Sequence, residues 1–396
     1  MTTLDDVPVT FVGHPFAPIG MGEQLRSHLA ACARVKIAAG VHDVFRYAQR
    51  TDPAHFAAVG DSELDRVPGG IRVFHVNGDE VDSVIAAFAA RGGAFAAGYN
   101  VIVPAWELPA YPKPWAAGLA RFDEVWAISR FVQASLATAG IASHVVGQSV
   151  ETPPGPLLPR RGFGIRESAF ALLHFFDLTS YASRKNPYAV LDLARRLRAE
   201  APLRDLQLVL KVKNGEQAAA GWARDWRGEP HVLVIDAPLD SLGVRSLINA
   251  CDCFVSLHRA EGFGRGLGEA MALGRLALGT FWSGNRDFMT EDTALAVRHG
   301  MVRLKRDDYP HGRGQSWAEP DVAHACALLR PVLDDPERGR AIAVRGQAAV
   351  LRSHGDRAVG LRILDRLHSI IESHPALAVP AARQAGRRRR SLAATG

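Results

Sequence analysis

Short runs rich in apolar residues, without strict alternation, alternate along the chain with stretches whose apolar residues recur every three or four positions. In the first half the runs are "VPVTFVGH" (7–14), "VKIAAGV" (35–41), "GIRVFHVN" (70–77), "YNVIVPAW" (99–106) and "EVWAIS" (124–129). Between them lie "GEQLRSHLAACA" (22–33), "VDSVIAAFAARG" (81–92) and "RFVQASLATAG" (130–140), and "HVVGQSVE" (144–151) closes the series. Runs apolar on both faces belong to strands covered on both sides, so the pattern predicts a parallel sheet sandwiched between helices.

The proline-dense "TPPGPLLPRRG" (152–162) interrupts the pattern and reads as a linker. A second series follows with "FALLHFFD" (170–177), "LQLVLKVK" (206–213), "HVLVID" (231–236), "CDCFVSLH" (251–258), "LALGTFW" (276–282) and "TALAVR" (293–298), again separated by helical stretches. From "EPDVAHACALLRPVLDD" (319–335) onward the chain reads as helical. The expectation is α/β: two Rossmann-like, doubly wound domains, at 1–151 and 163–355. The helical stretch 356–375 either crosses back to the first domain or packs on the second, and 376–396 forms a basic tail. Open parallel sheets bind ligands at the carboxyl ends of their strands. Two such sheets facing across a cleft suit a reaction that joins two substrates.

The sharpest chemistry sits in "HRAEGFGRGLGEAMALG" (258–274), where Glu261 and Glu269 bracket a glycine-rich turn. A turn from a buried strand into a helix presents backbone N–H groups and the positive end of the helix dipole, an anion site. Gly262, Gly264 and Gly266 permit close backbone approach. Carboxylates beside such a site would repel phosphate, so each is expected to meet hydroxyls, which sugars and riboses offer in vicinal pairs. A nucleotide-sugar has hydroxyls at both ends and a diphosphate between them.

With those residues in view, "EGFGRGLGE" within "DCFVSLHRAEGFGRGLGEAMALGRLALGT" (252–280) resembles the E-x7-E signature of retaining GT-B glycosyltransferases of the family 4 type, glycosyl transferases group 1. The resemblance implies a GT-B fold, with Glu261 near the donor sugar, Glu269 near the nucleotide ribose, and Gly262, Phe263 and Gly264 lining the donor. "FFDLTSYASRKNPYAVLDLARRL" (175–197) is similar to the donor-domain opening of a bacterial subgroup. Arg184 and Lys185 there would stand at a helix head and stabilise the departing diphosphate, whose charge grows in the transition state. Many members carry an arginine about five positions before the lysine; here that place holds Ser180, and Arg184 is the candidate substitute. "FWSGNRDFM" (281–289) also resembles the subgroup, and implies that Ser283, Gly284 and Asn285 turn beside the donor phosphates, with Gly284 needed for close approach or a positive φ.

In the first half, "GHPFAPIGMGEQLRSHL" (13–29) carries glycines ahead of a helix. No Lys-Ser/Thr follows them, so it is not a P-loop, and the third glycine of a dinucleotide fingerprint is missing. Its resemblance to the subgroup's G-x-G-E stretch points to Gly22 on the donor side and Glu23 on the acceptor side. "WELPAYPKPW" (106–115) is dense in aromatics; Trp106, Tyr111 and Trp115 could stack on sugar rings, and prolines stiffen the loop. Many GT-B enzymes carry a histidine near this strand end where this chain has Trp106 and Glu107. Glu107 is either an acceptor-orienting carboxylate or a buried helix-end partner. Ser129 and Arg130 are candidates to line the cleft, whereas His14 and His75 at strand ends are read as structural.

Composition narrows the field. The 396 residues are 47% hydrophobic and 22% charged, as in globular domains. No signal peptide or membrane-spanning run is read, so the expected location is cytoplasmic. The net charge of +6 points toward polyanions, but Arg383 and Arg387–Arg390 of the tail account for five of the six charges. With them set aside a nucleic-acid partner is not expected, and the tail is left as a candidate for peripheral membrane contact. The four cysteines are scattered, and Cys251 and Cys253 alternate along a strand without partners at ligand spacing. No metal site and no cofactor are expected; the partners are a nucleotide-sugar donor and an acceptor that is a saccharide, a lipid-linked sugar or a small metabolite. A sugar-nucleotide epimerase, a phosphorylase-like enzyme and a non-catalytic nucleotide-sugar-binding module are the alternatives.

Overall fold

The structure is a computed structural model that describes residues 4–46, 52–178, 180–214 and 224–377. The arginine-rich tail, and with it the expected membrane contact, lies outside the described residues.

The apolar runs form two six-stranded sheets. The first contains β1 (Val9–Gly13), β2 (Ala39–Asp43), β3 (Ile71–Phe74), β4 (Tyr99–Ile102), β5 (Glu124–Ala127) and β6 (His144–Val145), in the order β2-β1-β3-β4-β5-β6. All its pairs are parallel. Helices α1 (Gly20–Arg34), α2 (Pro53–Val59), α3 (Val81–Ala90), α4 (Lys113–Leu119) and α5 (Arg130–Thr138) connect them. The second sheet, β7 (Phe170–Asp177), β8 (Leu206–Lys213), β9 (Val232–Ile235), β10 (Cys253–Ser256), β11 (Leu276–Thr280) and β12 (Leu295–Val297), runs β12-β11-β10-β7-β8-β9 and is also parallel. Its helices are α6 (Ala182–Lys185), α7 (Pro187–Glu200), α8 (Arg224–Arg227), α9 (Ser241–Ala250) and α10 (Arg265–Ala272). Central strands such as β1 and β10 are buried at every residue, which is why the sequence shows no alternation there.

Each sheet reverses its strand order once, between β1 and β3 in the first and between β7 and β10 in the second. Connections leave toward opposite faces at such a point, and the strand ends open a crevice. The loops after β1 and β3, and those after β7 and β10, therefore carry whatever the two lobes bind.

After β12 the chain makes an antiparallel hairpin, β13 (His299–Arg303) with β14 (Ser316–Pro320), and then α11 (Val322–Asp334), α12 (Pro336–His354) and α13 (Asp356–Ser373). The hairpin falls where the sequence reading has only a connection. The run at 35–41 also shifts: Val35 caps α1, Lys36 takes a φ of 64°, and the strand begins at Ala39. Among the described residues no helix is long and apolar enough to cross a membrane.

Helix α13 lies on the first lobe. Val359, Ile363, Leu367 and Ile370 are buried. Its Arg362 Nε donates to the Val146 carbonyl (2.7 Å), and Arg366 grips both Glu124 carboxylate oxygens at 3.0 and 2.9 Å. Gly360 brings α13 onto α1 so closely that a methyl group there would collide with the Ala31 carbonyl. Gly360→Ala should therefore push the helices apart and cost about 1–3 kcal/mol, as overpacking does; the check is the urea unfolding midpoint.

Candidate active site

The strand-order reversal of the second sheet gathers the charged residues singled out in the sequence. Beyond β7 the chain turns through Tyr181 (φ 55°) into α6, and Asn186 (φ 54°) ends that single turn before Pro187 starts α7. Arg184 and Lys185 thus sit on their own short helix rather than at the head of the long one. Glu261 follows β10. Its Oε2 lies 3.1 Å from Arg184 Nη1, and Lys185 Nζ donates to its Oε1. Arg184 is further fixed by donating to the Ala260 carbonyl (3.0 Å) and to the Ser180 hydroxyl (3.1 Å). The serine that stands in the usual arginine's place therefore holds the arginine four residues on.

Burial pushes the Glu261 carboxyl up, but the Lys185 and Arg184 charges outweigh it and hold the group down at about 2. Burial disfavours the Arg184 cation too, yet Glu261, with Glu107 beyond it, keeps the guanidinium above its ordinary value. Burial dominates at Lys185 and lowers it. His258, buried at the end of β10, is lowered by desolvation against the pull of Glu261; its Nε2 donates to the Trp282 carbonyl (3.2 Å). The sequence reading assigned it no role, and its signal was its place at the end of an apolar run.

The glycine turn is built by close backbone contact. Gly264 adopts a φ of 89°, open to glycine, and opens α10. Gly284 needs its lack of a side chain for close approach: a Cβ there would strike the Gly262 carbonyl. Gly284 N donates to the Glu261 carbonyl (3.1 Å), and Glu261 N donates to Ser283 Oγ (3.0 Å). Ser283 and Gly284 thus brace the Glu261 turn. Asn285 is wholly buried and donates to the Thr280 carbonyl (2.9 Å), and the Phe263 ring packs against Phe288 and His354. These two side chains shape the loop from behind.

Glu269 projects from α10. The sequence expectation left both acids free to meet hydroxyls; the structure holds each against a cation. Arg265 Nε lies 2.7 Å from Glu269 Oε1, and Arg265 Nη2 lies 3.7 Å from Glu23 Oε2 on α1. Burial raises the Glu269 carboxyl above its ordinary value, with Arg265 acting against it. Glu23 also pairs with Arg26 and stands 3.6 Å from His55. Gly22, the second glycine of that stretch, lies inside α1, where a Cβ would meet the Ala17 carbonyl.

The first lobe's aromatic loop faces this turn. The Trp106 carbonyl would lie 2.8 Å from a Cβ on Gly262, and Ser129 Oγ donates to the Gly262 carbonyl (2.6 Å). Trp106 and Tyr111 are each 3% exposed and pack edge-to-face with Trp115, so they spend their faces on one another. The β13–β14 hairpin completes the wall. Tyr309 donates to Glu107 Oε2 (2.7 Å), and Gln315 pairs with the Ala110 backbone at 2.7 and 3.2 Å. His14 lies 3.0 Å from Glu80 and His75 3.3 Å from Gln24, both buried. All four cysteines are buried free thiols, and among the described residues no three His, Cys, Asp or Glu side chains converge to hold a metal.

No protein-family model matches the chain, and no curated protein matches it. Solved structures are similar to it in backbone over almost their whole length. HepE of Anabaena, solved with UDP-glucose, superposes with a TM-score of 0.61 at 14% identity, over 92% of this chain and 100% of that one. Sucrose-phosphate synthase of Thermosynechococcus elongatus gives 0.62 at 13%, covering 93% and 100%. The α,α-trehalose 6-phosphate synthase of Burkholderia multivorans gives 0.60 at 10%, covering 93% and 98%. The chain has the two-lobed GT-B fold of these glycosyltransferases.

The ion cluster predicts how stability depends on pH. Glu261 has a depressed folded-state pKa, so its stabilisation is complete above the unfolded value near 4.5 and is lost as pH falls through about 2. The stability gap between wild type and Glu261→Gln, about 3 kcal/mol near neutrality, should shrink between pH 4.5 and 2, as followed by urea denaturation.

Proposed function

We propose that the protein is a retaining glycosyltransferase of the group 1 type that moves a sugar from a nucleotide-sugar to an acceptor hydroxyl, without a metal ion. The observation that carries this reading is the Arg184–Lys185–Glu261 cluster, which puts two cations and one carboxylate at the strand-order reversal of the second lobe. Lys185 is the more exposed of the two cations at this crevice, and Glu107 acts on both beside Glu261. As the bond from the anomeric carbon to phosphate breaks, charge grows on the leaving oxygens, and preorganised cations lower that barrier. Glu261 accepts donor-sugar hydroxyls, and Glu269 accepts those of the ribose. The first turn of α10 faces the phosphates with its dipole.

The similar proteins HepE and Staphylococcus aureus TarM were solved with UDP-glucose and with UDP, which supports a nucleotide-sugar donor here. On this reading the acceptor oxygen bonds the anomeric carbon on the face the diphosphate leaves. Attack on that same face retains the anomeric configuration, and a leaving phosphate oxygen takes the acceptor's proton. The acceptor, a saccharide, a lipid-linked sugar or a small metabolite, enters from the side of Glu107, Trp106, Trp115 and Glu23. Lobe contact around the donor excludes water and limits hydrolysis.

A thermal-shift screen against UDP, GDP, ADP and TDP identifies the base, and NMR of the product's anomeric proton reads the stereochemistry. Glu261→Gln should lower kcat at least about 100-fold, with circular dichroism unchanged, and Lys185→Ala should act in the same direction. Transfer should persist in excess EDTA. Full activity of Glu261→Gln, or an inverted product, would overturn the reading; release of free sugar with no need of acceptor would instead mark a hydrolytic or epimerase-like enzyme.

A further inference from the structure

The half-buried cation Arg265 is not used by the proposed chemistry. Arg265 opens α10, where a positive side chain is electrostatically misplaced against the helix dipole. Something else must hold it there, and three contacts do. Its Nε lies 2.7 Å from Glu269 on its own helix, its Nη2 lies 3.7 Å from Glu23 on α1, and its Nη1 donates to the Ser149 carbonyl (3.1 Å). Ser149 belongs to the segment that leaves the first lobe, and its hydroxyl donates to Asp356 Oδ1 (2.6 Å) at the start of α13, where the chain returns. One guanidinium thus touches the second lobe's helix, the first lobe's opening helix and the outgoing crossover, and reaches the returning one through Ser149.

We propose that Arg265 is a positioning residue for the donor nucleotide: it aims the Glu269 carboxylate and keeps it ionised to accept ribose hydroxyls, while Glu23 of the first lobe opposes it. The inference rests on the proposed role of Glu269. A protonated carboxyl cannot accept two hydroxyl hydrogens as a carboxylate does. The charged groups acting on Glu269 are Arg265 from α10 and Glu23 from α1. Around Arg265 stand Asp356 of α13 and, from α1, Arg26 and His28. Burial raises the Glu269 carboxyl, Arg265 lowers it and Glu23 raises it. Removing Arg265 should therefore make ribose recognition fail at a higher pH, and removing the Glu23 charge should let it persist to a lower one. A purely structural role would not produce shifts of opposite sign.

The test uses the full chain and whichever of UDP, GDP or ADP binds most tightly, together with its 2′-deoxy and 3′-deoxy counterparts. Dissociation constants are measured by calorimetry from pH 5 to 9. Wild type should favour the ribonucleotide, and Glu269→Gln should abolish that preference. Arg265→Gln should reduce the preference about tenfold at neutral pH, with partial recovery as pH rises. Arg265→Lys should largely restore it, and Glu23→Gln should move the acid limb downward. If Arg265→Gln does not fold, Glu23→Gln still tests the inference, which fails if its acid limb does not move downward. Loss of the preference in Glu269→Gln but an unchanged ratio and pH limb in Arg265→Gln and Glu23→Gln would overturn the inference and leave the ribose role of Glu269 standing. No preference in wild type would remove both.

Discussion

Two buried charges, Glu261 and Arg184, and the half-buried Lys185 must stay together. Glu261 loses most of its water to the end of β10, and only the adjacent Arg184 and Lys185 make its ionised form favourable there. Removing one member strands the others. The backbone around them is therefore fixed from several sides: Ser180 and the Ala260 carbonyl hold Arg184, and Ser283 and Gly284 hold the main chain of Glu261. Three of the seven non-glycine residues at positive φ among the described residues, Tyr181, Asn186 and Ser283, lie in this shell. Such strain persists where surrounding contacts over-determine it, and it collects at sites where geometry matters.

The second constraint is contact between the lobes. Ser129 reaches the Gly262 carbonyl, Glu107 meets Tyr309, Gln315 meets Ala110, and Asp52 accepts from both the backbone and the hydroxyl of Ser241 (2.8 and 2.6 Å). Most of these contacts are polar. They can exchange for water at modest net cost, unlike an apolar seam. Apolar contact accompanies them: Trp106 packs on Tyr309 and Phe131 on Trp282, and one buried apolar cluster runs through both lobes.

Much of this architecture could be read from the chain. Runs rich in apolar residues marked the parallel strands, and the spacing of Glu261 and Glu269 marked the turn that the two-lobed fold places at its crevice. Local pattern failed where partners are distant in sequence. Arg265 looks like an ordinary residue between glycines until Glu23 arrives from α1. The β13–β14 hairpin pairs a short, exposed strand, β13, with a mostly buried one, so β13 lacks the apolar signature that revealed the others. Tyr309 went unassigned with it. The aromatic loop was legible as aromatic, but not the turning of Trp106 and Tyr111 toward each other, which depends on tertiary packing. Asn285 and Phe263 show the same limit: their place in the turn was readable, whereas their burial behind it was not.

The docking of α13 on α1 bears on how the polypeptide is made. The apolar stripe of α1 emerges from the ribosome roughly 320 residues ahead of the helix that covers it. At ordinary elongation speeds that interval is roughly twenty seconds to a minute. Throughout it the nascent first lobe has an uncovered flank, and its maturation waits for α13 to dock.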